Sequence, residues 1–424
     1  MDRSRHECDA LIVGAGPAGL AAAFRAAQDG RRRVTVVDDS PDAGGQIWRG
    51  ERREPRSPEA RAWFQRLRSV KIELINGARV FQQVEPRKLL AETYDGGVCE
   101  LVFENLVLAT GARERFLPFP GWTMPNVMGA GGLQALVKGG LPVERRRIVI
   151  AGSGPLLLAV AGYLRDHGAD VLCVAEQASQ GKVMRFGLGL INNAGKLSQA
   201  YSFLKGFKYL TDCWVTEAQG DESLKSVLLR RGGKRWSVSC DYLACGFHLV
   251  PNLELAELLG CDVAGGVVRV DEFQQTSVPQ VYSAGESTGI GGLELSLVEG
   301  EIAGLAIAGR HDEARRLFPA RAKQRRFADL LNRTFALRDE LKTLAEAQTI
   351  VCRCEDITFD RLRGHDSWRA AKLQTRCGMG PCQGRICGSA VEFLFDWKTE
   401  SVRPPILPVR VQSLATKRHK NHEE

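Results

Sequence analysis

No stretch of this chain reaches the roughly 18 consecutive apolar residues that a membrane-spanning helix needs. The longest candidate, Leu156 to Leu164, falls where a nucleotide-binding helix is expected. The opening MDRSRHECDALI carries charge straight into a strand-like apolar stretch, with no separate apolar region before a cleavage site. Secretion is therefore not expected, and a cytoplasmic location follows, with peripheral docking on a membrane left open. A concentrated basic face is also missing. The net charge of +8 is spread among Arg31–Arg33, Arg52–Arg61, Arg145–Arg147 and the tail Lys417–Lys420, which reads as a solvated end. No nucleic-acid motif accompanies it, so nucleic acid is not an expected partner. Finally, no constellation for oxidising a substrate is evident. His167 and His248 lie near predicted element ends, but neither has an acid partner in the sequence. An isolated histidine without an orienting group reads as structural, and no catalytic residue is assigned.

What is present begins with size. A chain of 424 residues, 44% hydrophobic and 25% charged, has room for two or three domains with their own cores. Near the N-terminus, Asp9 leads into the apolar strand Ala10–Val13. Gly14-x-Gly16-x-x-Gly19 then opens an Ala-rich helix, and the strand Val34–Val37 ends in Asp38. In this pattern Gly14 permits a tight turn, Gly16 lets backbone approach a pyrophosphate, and Gly19 allows close helix–strand packing. The helix N-terminus offers free N–H groups to phosphate, and Asp38 is placed to accept from ribose hydroxyls. Strand, loop, helix, strand and acid arrive in order, which makes the signal specific.

Two later segments belong with this site. Leu106-Val-Leu-Ala109-Thr110-Gly111 is an apolar strand running into a small-residue turn, and Gln280-Val-Tyr-Ser-Ala284-Gly285-Glu286 is another ending in glycine and acid. Both resemble paired motifs of the glutathione-reductase-like flavoproteins, and the resemblance favours FAD over NAD. There the second acid is usually Asp and contacts the ribitol–phosphate region. Glu286 is one methylene longer, which shifts the expected contact, and Gly289–Gly292 would start a helix aimed at the flavin. The resemblance implies FAD contacts from Gly14, Gly16, Pro17, Ala18, Gly19, Asp38, Asp39, Gly45, Gln46, Ala109, Thr110, Gly111, Gly285 and Glu286.

Residues Arg147 to Glu176 repeat the plan about 138 positions later, with Gly152, Gly154 and the terminal acid Glu176 as the nucleotide-site candidates. Leu157 stands where a third glycine is expected; it should push the helix from the strand and crowd a dinucleotide. Glu176 suits free ribose hydroxyls, and the following residues supply no Arg for a 2′-phosphate, so NADPH is not expected. NADH, another adenine nucleotide and an empty structural remnant all stay open.

Of twelve cysteines, seven are scattered between Cys8 and Cys261 in mostly apolar surroundings and read as core. The other five fall between Cys352 and Cys387, a clustering that favours metal over structural disulfides in a cytosolic chain. Cys352-x-Cys354, 27 intervening residues and Cys382-x4-Cys387 make two ligand pairs. Four thiolates are what a [2Fe–2S] cluster requires; zinc and a Cys382–Cys387 redox disulfide are the alternatives. Cys377 reads as a neighbour outside the ligand set. The segments Cys352-Arg-Cys-Glu-Asp and Thr375-Arg-Cys-Gly-Met-Gly-Pro-Cys-Gln-Gly-Arg-Ile-Cys387 resemble the bacterioferritin-associated-ferredoxin-like [2Fe–2S] domain.

Adding Gly44-Gly-Gln-Ile-Trp-Arg49, Ala109–Glu114, Pro120-Gly-Trp-Thr-Met-Pro125 and Gly131-Gly-Leu-Gln-Ala135, nearly the whole chain resembles a family of flavoprotein alpha subunits. That group includes those of D-hydroxyproline dehydrogenase, opine oxidase and hydrogen cyanide synthase. The resemblance implies an amino-acid-oxidase-like beta subunit that oxidises the amine, a small third subunit, FMN at a subunit interface, and electron relay to an acceptor. The competing readings are a self-contained NADH-dependent reductase and a non-catalytic assembly subunit. A dithiol reductase is not expected, because no CxxC occupies the second nucleotide unit and no CxxxxC follows soon after the first. The expected fold is α/β: two Rossmann-like dinucleotide-binding domains plus a small helical [2Fe–2S] domain. The expected boundaries are 1–115 with 266–312 for FAD, 116–265 for the second nucleotide domain, 313–345 a helical connector, 346–400 the [2Fe–2S] domain and 401–424 a tail.

Overall fold

A computed structural model of the protein describes residues 4–52, 57–189, 207–398 and 402–415. The described residues form two compact units, one drawn from 1–111, 251–324 and 401–424, the other from 112–250 and 325–400.

The first unit is built on a sheet of order β3-β2-β1-β6-β5-β4, where β1 is Ser4–Val13, β2 Val34–Asp38, β3 Glu73–Asn76, β4 Ala78–Glu85, β5 Lys88–Thr93 and β6 Val98–Leu108. The first four of these run parallel; β5 and β4 turn antiparallel beyond them. Runs such as Val34–Val37 are buried throughout, as a strand covered on both faces must be. The long β6 serves two neighbours on one edge: Val98–Val102 pairs with β5, and Leu106–Leu108 pairs with the strand Val281–Ser283. The chain thus re-enters the sheet after its long excursion.

Helix Pro17–Ala27 starts behind Gly16 with proline in its first turn, and every residue but Arg25 is buried. It lies against helix Leu293–Ile307 at a distance only small residues tolerate. A Cβ on Gly300 would stand 2.1 Å from the Ala18 carbonyl oxygen, and one on Gly304 would stand 2.3 Å from that of Ala22.

The second unit carries a parallel five-stranded sheet in the spatial order Tyr209–Leu210, Asp170–Glu176, Arg147–Ser153, Tyr242–Phe247, Val127–Gly129. A three-stranded antiparallel sheet, Cys213–Gly220, Leu224–Arg231 and Lys234–Ser239, shares its core. Residues 350–395 add a short hairpin, Ile350–Cys352 with Ile357–Thr358, and helices Trp368–Thr375 and Cys387–Phe395.

The α/β class with two Rossmann-like sheets is as expected from the sequence, but the units divide at other places. The breaks fall after Gly111 and Val250, and the crossing at 324/325 lies inside helix Phe318–Thr334. The cysteine region belongs to the second unit, because Trp122 donates its indole N–H to the Ile350 carbonyl at 2.5 Å and Arg113 donates to that of Arg385 at 3.1 Å. The tail differs as well. Ile406 donates its N–H to the Phe81 carbonyl at 2.9 Å, and Val402, Ile406 and Leu407 join the apolar core of the first unit. They cover the end strand β4, whose edge would otherwise stand open; the basic Lys417–Lys420 lies outside the described residues.

The close helix pair predicts that Gly300→Val destabilises the first unit by about 2 kcal/mol or more, since overpacking against backbone has little room to relax. Gly289→Ala, whose added Cβ meets open space but whose φ is +141°, tests strain without crowding. Thermal melts should rank Gly300→Val as the more destabilised if the helix contact governs.

Candidate cofactor and metal sites

At the first site the β1 turn needs glycine for two reasons at once. Gly14 has φ +109°, and a Cβ there would lie 2.2 Å from the Ala109 carbonyl oxygen. The turn of residues 109–111 is thereby pressed against the glycine loop, and Ala109 N–H bonds the Val13 carbonyl at 2.9 Å. Asp38 fixes the loop from the other side. Its Oδ2 accepts from Ala15 N–H at 2.5 Å and its Oδ1 from Ser40 N–H at 2.7 Å. Asp39 is exposed and faces Arg79 at 3.7 Å.

The Gly44–Gly45 segment closes in next. Gly44 N–H bonds the Ala15 carbonyl at 2.8 Å, and a Cβ on Gly45 would stand 2.9 Å from the Cα of Gly16. Beyond it, Gln46 accepts from Arg49 at 3.0 Å, and the Arg49 Nε–H is buried without a hydrogen-bond partner. Gly285 approaches from the far end of the unit: its Cβ would lie 2.8 Å from that of Ala18. The loop 14–19, the turn 109–111, the 44–46 segment and the 285 turn, far apart in sequence, therefore meet in one place.

Two residues that hold this place carry no local sequence signal. Asn252 accepts from the Thr110 hydroxyl through its carbonyl at 2.7 Å and donates its side-chain amide to the Thr110 carbonyl at 2.9 Å. Glu299, buried, accepts from Gly285 N–H at 3.1 Å and from the Thr288 hydroxyl at 2.6 Å. Glu286 departs from expectation. Its carboxylate folds back and accepts from Gly291 and Gly292 N–H at 3.1 and 3.0 Å. These are the amides at the start of helix Leu293–Ile307 that were expected to face the flavin. The extra methylene gives the side chain that reach.

The second site repeats the clasp. Glu176, fully buried, accepts from Gly154 N–H at 2.7 Å and from Ala178 N–H at 2.8 Å. Gly152, at φ +145°, crosses the neighbouring strand so closely that a Cβ would lie 1.9 Å from the Gly246 carbonyl oxygen. Leu157 does not splay the helix as expected. It is fully buried and points at Gly246, whose missing side chain makes room for it.

At the cysteine site, Cys352, Cys377 and Cys387 place their sulfurs within 4.8 Å of one another, all buried. Cys382 contacts Cys387 and Cys354, the exposed member. Cys377, which the spacing leaves outside the ligand set, thus stands among the other thiols. Thiol–thiol hydrogen bonds hold Cys352 far below an ordinary thiol and bring Cys382 down to about 5, while they push Cys387 up. Thiols gathered in this way can hold a metal ion once deprotonated. The glycines around it are spatial necessities: a Cβ on Gly380 would lie 2.4 Å from that of Cys354, and one on Gly378 would lie 2.7 Å from the Trp368 ring. The cysteines open on a cavity of about 440 Å³ whose other wall is Phe116, Trp122 and Glu114. The Glu114 carboxylate caps Gly131 and Gly132 at 2.7 and 3.0 Å. His167 bonds the Tyr163 carbonyl at 2.8 Å, and His248 is held below its usual pKa by burial; neither meets a carboxylate among the described residues.

Two Rossmann-like sheets with a clasped glycine loop in each, and a thiol cluster, define an oxidoreductase of the flavoprotein class. The chain belongs to the pyridine nucleotide-disulphide oxidoreductase family, whose profile matches residues 8–305. It is 31% identical to the HcnB subunit of hydrogen cyanide synthase from Pseudomonas protegens, over 89% of each chain. It is 30% identical to an opine oxidase subunit from Agrobacterium tumefaciens, over 96% of this chain and 91% of that one. Among solved structures, the L-proline dehydrogenase of P. horikoshii shares the fold at TM-score 0.68 and 18% identity, covering 98% of this chain and 81% of the other. No helix among the described residues is long and apolar enough to cross a membrane.

Burial raises the Glu176 carboxyl from 4.5 to about 7. Between those values the folded protein keeps a proton that the unfolded chain has released, so stability should fall as pH rises through this window and level off above it. The slope approaches about 1 kcal/mol per pH unit. Chemical denaturation at pH 5, 6 and 7 should show that slope reduced in Glu176→Gln; an unchanged slope would assign it to other groups.

Proposed function

We propose that this chain is the FAD- and [2Fe–2S]-containing alpha subunit of a heteromeric amino- or imino-acid dehydrogenase. In this role it relays electrons from an amine-oxidising flavoprotein partner to an acceptor. The observation that carries the reading is the gathering of the C-terminal cysteines around one another in the unit that also carries the second Rossmann sheet. The relatives support it from another side, since both are named as subunits. A proline-type or hydroxyproline-type secondary amine is the proposed substrate. FMN at the interface between subunits is a further proposed carrier, and the cytoplasm is the proposed location.

The residues present fit FAD. The helix behind Gly16 has no side chain capping its first amides, and the orphan Arg49 Nε–H lies in the turn strapped to the same loop. Both are donors suited to a pyrophosphate. In the proposed site Gly14, Gly16, Pro17, Ala18 and Gly19 carry the phosphates, and Asp38 and Asp39 border the ribose. Gly45, Gln46, Ala109, Thr110, Gly111 and Gly285 line the remainder. The cysteines fit an iron–sulfur cluster in donor type and number, with Cys352, Cys354, Cys382 and Cys387 as proposed ligands and Cys377, though it stands among them, as a neighbour outside the set. When bound, FAD exchanges electrons in pairs and the cluster exchanges them singly. The chain's own part is to clamp the thiols between Trp122, Trp368 and the close glycines and to shield three of the five from water.

Anaerobic purification followed by a visible spectrum and iron, sulfide and flavin quantitation tests this directly. Flavin with about two irons and two sulfides per chain is expected, with the metal lost and FAD retained in Cys382→Ser. Zinc without sulfide would overturn the relay. Cys377→Ser should keep its iron while shifting the visible circular dichroism; loss of iron there would make Cys377 a ligand in place of the exposed Cys354.

The division of labour has its own check. The purified chain should turn over no proline or hydroxyproline with an artificial acceptor until an amine-oxidising partner is added. Turnover by the chain alone would place the amine site within it.

A further inference from the structure

The second dinucleotide cleft is not vacant. The loop Gly152–Gly154 and the strand end Glu176–Gln177 form the surface on which a Rossmann domain seats its pyrophosphate and adenosine. Residues 335–338 lie across that surface, within the same compact unit. The Ser153 hydroxyl donates to the Phe335 carbonyl at 2.8 Å. The Gln177 amide donates to Ser153 Oγ at 2.8 Å and to the Ala336 carbonyl at 3.3 Å, and its carbonyl accepts from Arg338 N–H at 3.3 Å. Above Gly154, where a pyrophosphate needs bare backbone, an added Cβ would already be 3.9 Å from Phe335. Phe335 itself is 3% exposed, packed with Ala178 and Phe186 in a small apolar cluster. Arg338 reaches on to Asp212 at 3.0 Å, and its charge faces Glu176.

We infer that Phe335–Arg338 is a built-in occupant of this cleft, standing where the coenzyme would, so that the second Rossmann unit takes no nicotinamide dinucleotide. The Ser153 hydroxyl and the Gln177 side chain at this cleft are instead satisfied by residues 335–338 of the same chain, and a ligand would have to break those bonds between buried groups to enter. The barrier is this segment and not the irregular motif, because Leu157 is absorbed by the space beside Gly246 and faces the core. The inference removes NADH as electron source through this unit whatever metal the cysteines hold.

The test is NADH binding to the intact chain, read by hydrogen exchange of segments 152–158 and 335–338 and by flavin bleaching. With 1 mM NADH, no change in exchange of either segment and no bleaching within minutes is the expected result. NADH-dependent protection of residues 152–158 in the wild type would overturn the inference. Phe335→Gly should gain such protection, and Leu157→Gly should not. Gain in Leu157→Gly alone, or none in a Phe335→Gly chain that keeps its circular dichroism, would overturn it too. Should Phe335→Gly fail to fold, Gln177→Ala, which cuts the same segment loose with less loss of packing, is expected to speed exchange at 335–338 at least tenfold; unchanged exchange would count against the inference.

Discussion

Both nucleotide-type units hang on one interaction, a carboxylate at the end of a strand that accepts two backbone amides. Asp38 takes Ala15 and Ser40; Glu176 takes Gly154 and Ala178. In each case one amide belongs to the glycine loop and the other to the chain two residues past the acid. The clasp therefore fixes how far the loop stands from its neighbouring strand, and with it where the following helix begins. Each such hydrogen bond contributes about 0.5–1.5 kcal/mol net, and more where the acceptor is ionised. Removing the acid would also leave loop amides buried without partners. The remaining close approaches are built upon that fixed loop: Gly14 on Ala109, Gly45 on Gly16 and Gly285 on Ala18.

From this common device the two units diverge in what covers it. In the first, the surroundings of the loop are glycine and alanine, the helix start has no side-chain cap, and a buried Arg49 N–H lacks a partner. In the second, whose helix start is likewise without a side-chain cap, the surface is closed by Phe335, Ala336 and Arg338, which pair the Ser153 and Gln177 side chains. Glu176 in this unit is fully buried, and that burial pushes its carboxyl up. An acid meant to meet ribose hydroxyls sits at a border with water; this one is sealed.

The sequence made the devices legible and left their partners hidden. Gly14, Gly152, Asp38 and Glu176 can be read because the demands on them are local: a positive φ, a crossing of backbone, a strand end. The five late cysteines are legible by spacing. Asn252, Glu299 and the Phe335–Arg338 segment are not, since each acts on residues between 11 and 182 positions away and has an unremarkable neighbourhood. Leu157 reads as an intruder because the motif alone does not show Gly246 making room for it. Glu286 is expected to reach the ribitol–phosphate region by analogy with a shorter acid; its length instead lets it cap its own helix. Within the segment after residue 401, the charge pattern gives no sign that Ile406 pairs with Phe81.

The filled cleft and the cysteine region are connected by more than proximity in sequence. Residues 335–338 lead through Leu341 and Leu344, both buried in the core of the second unit, to the strand that ends in Cys352. A Rossmann unit that merely lost its ligand would expose or orphan the groups that once held it, at a cost of about 1–3 kcal/mol for each buried one. Filling the cleft with its own chain avoids that cost, and the filling segment then delivers the thiols to the wall formed by Trp122 and Arg113. On this reading the second unit is retained as a scaffold. Its sheet keeps the dinucleotide-binding form because that form supplies a rigid polar surface, and here the surface holds the approach to the clustered thiols in place.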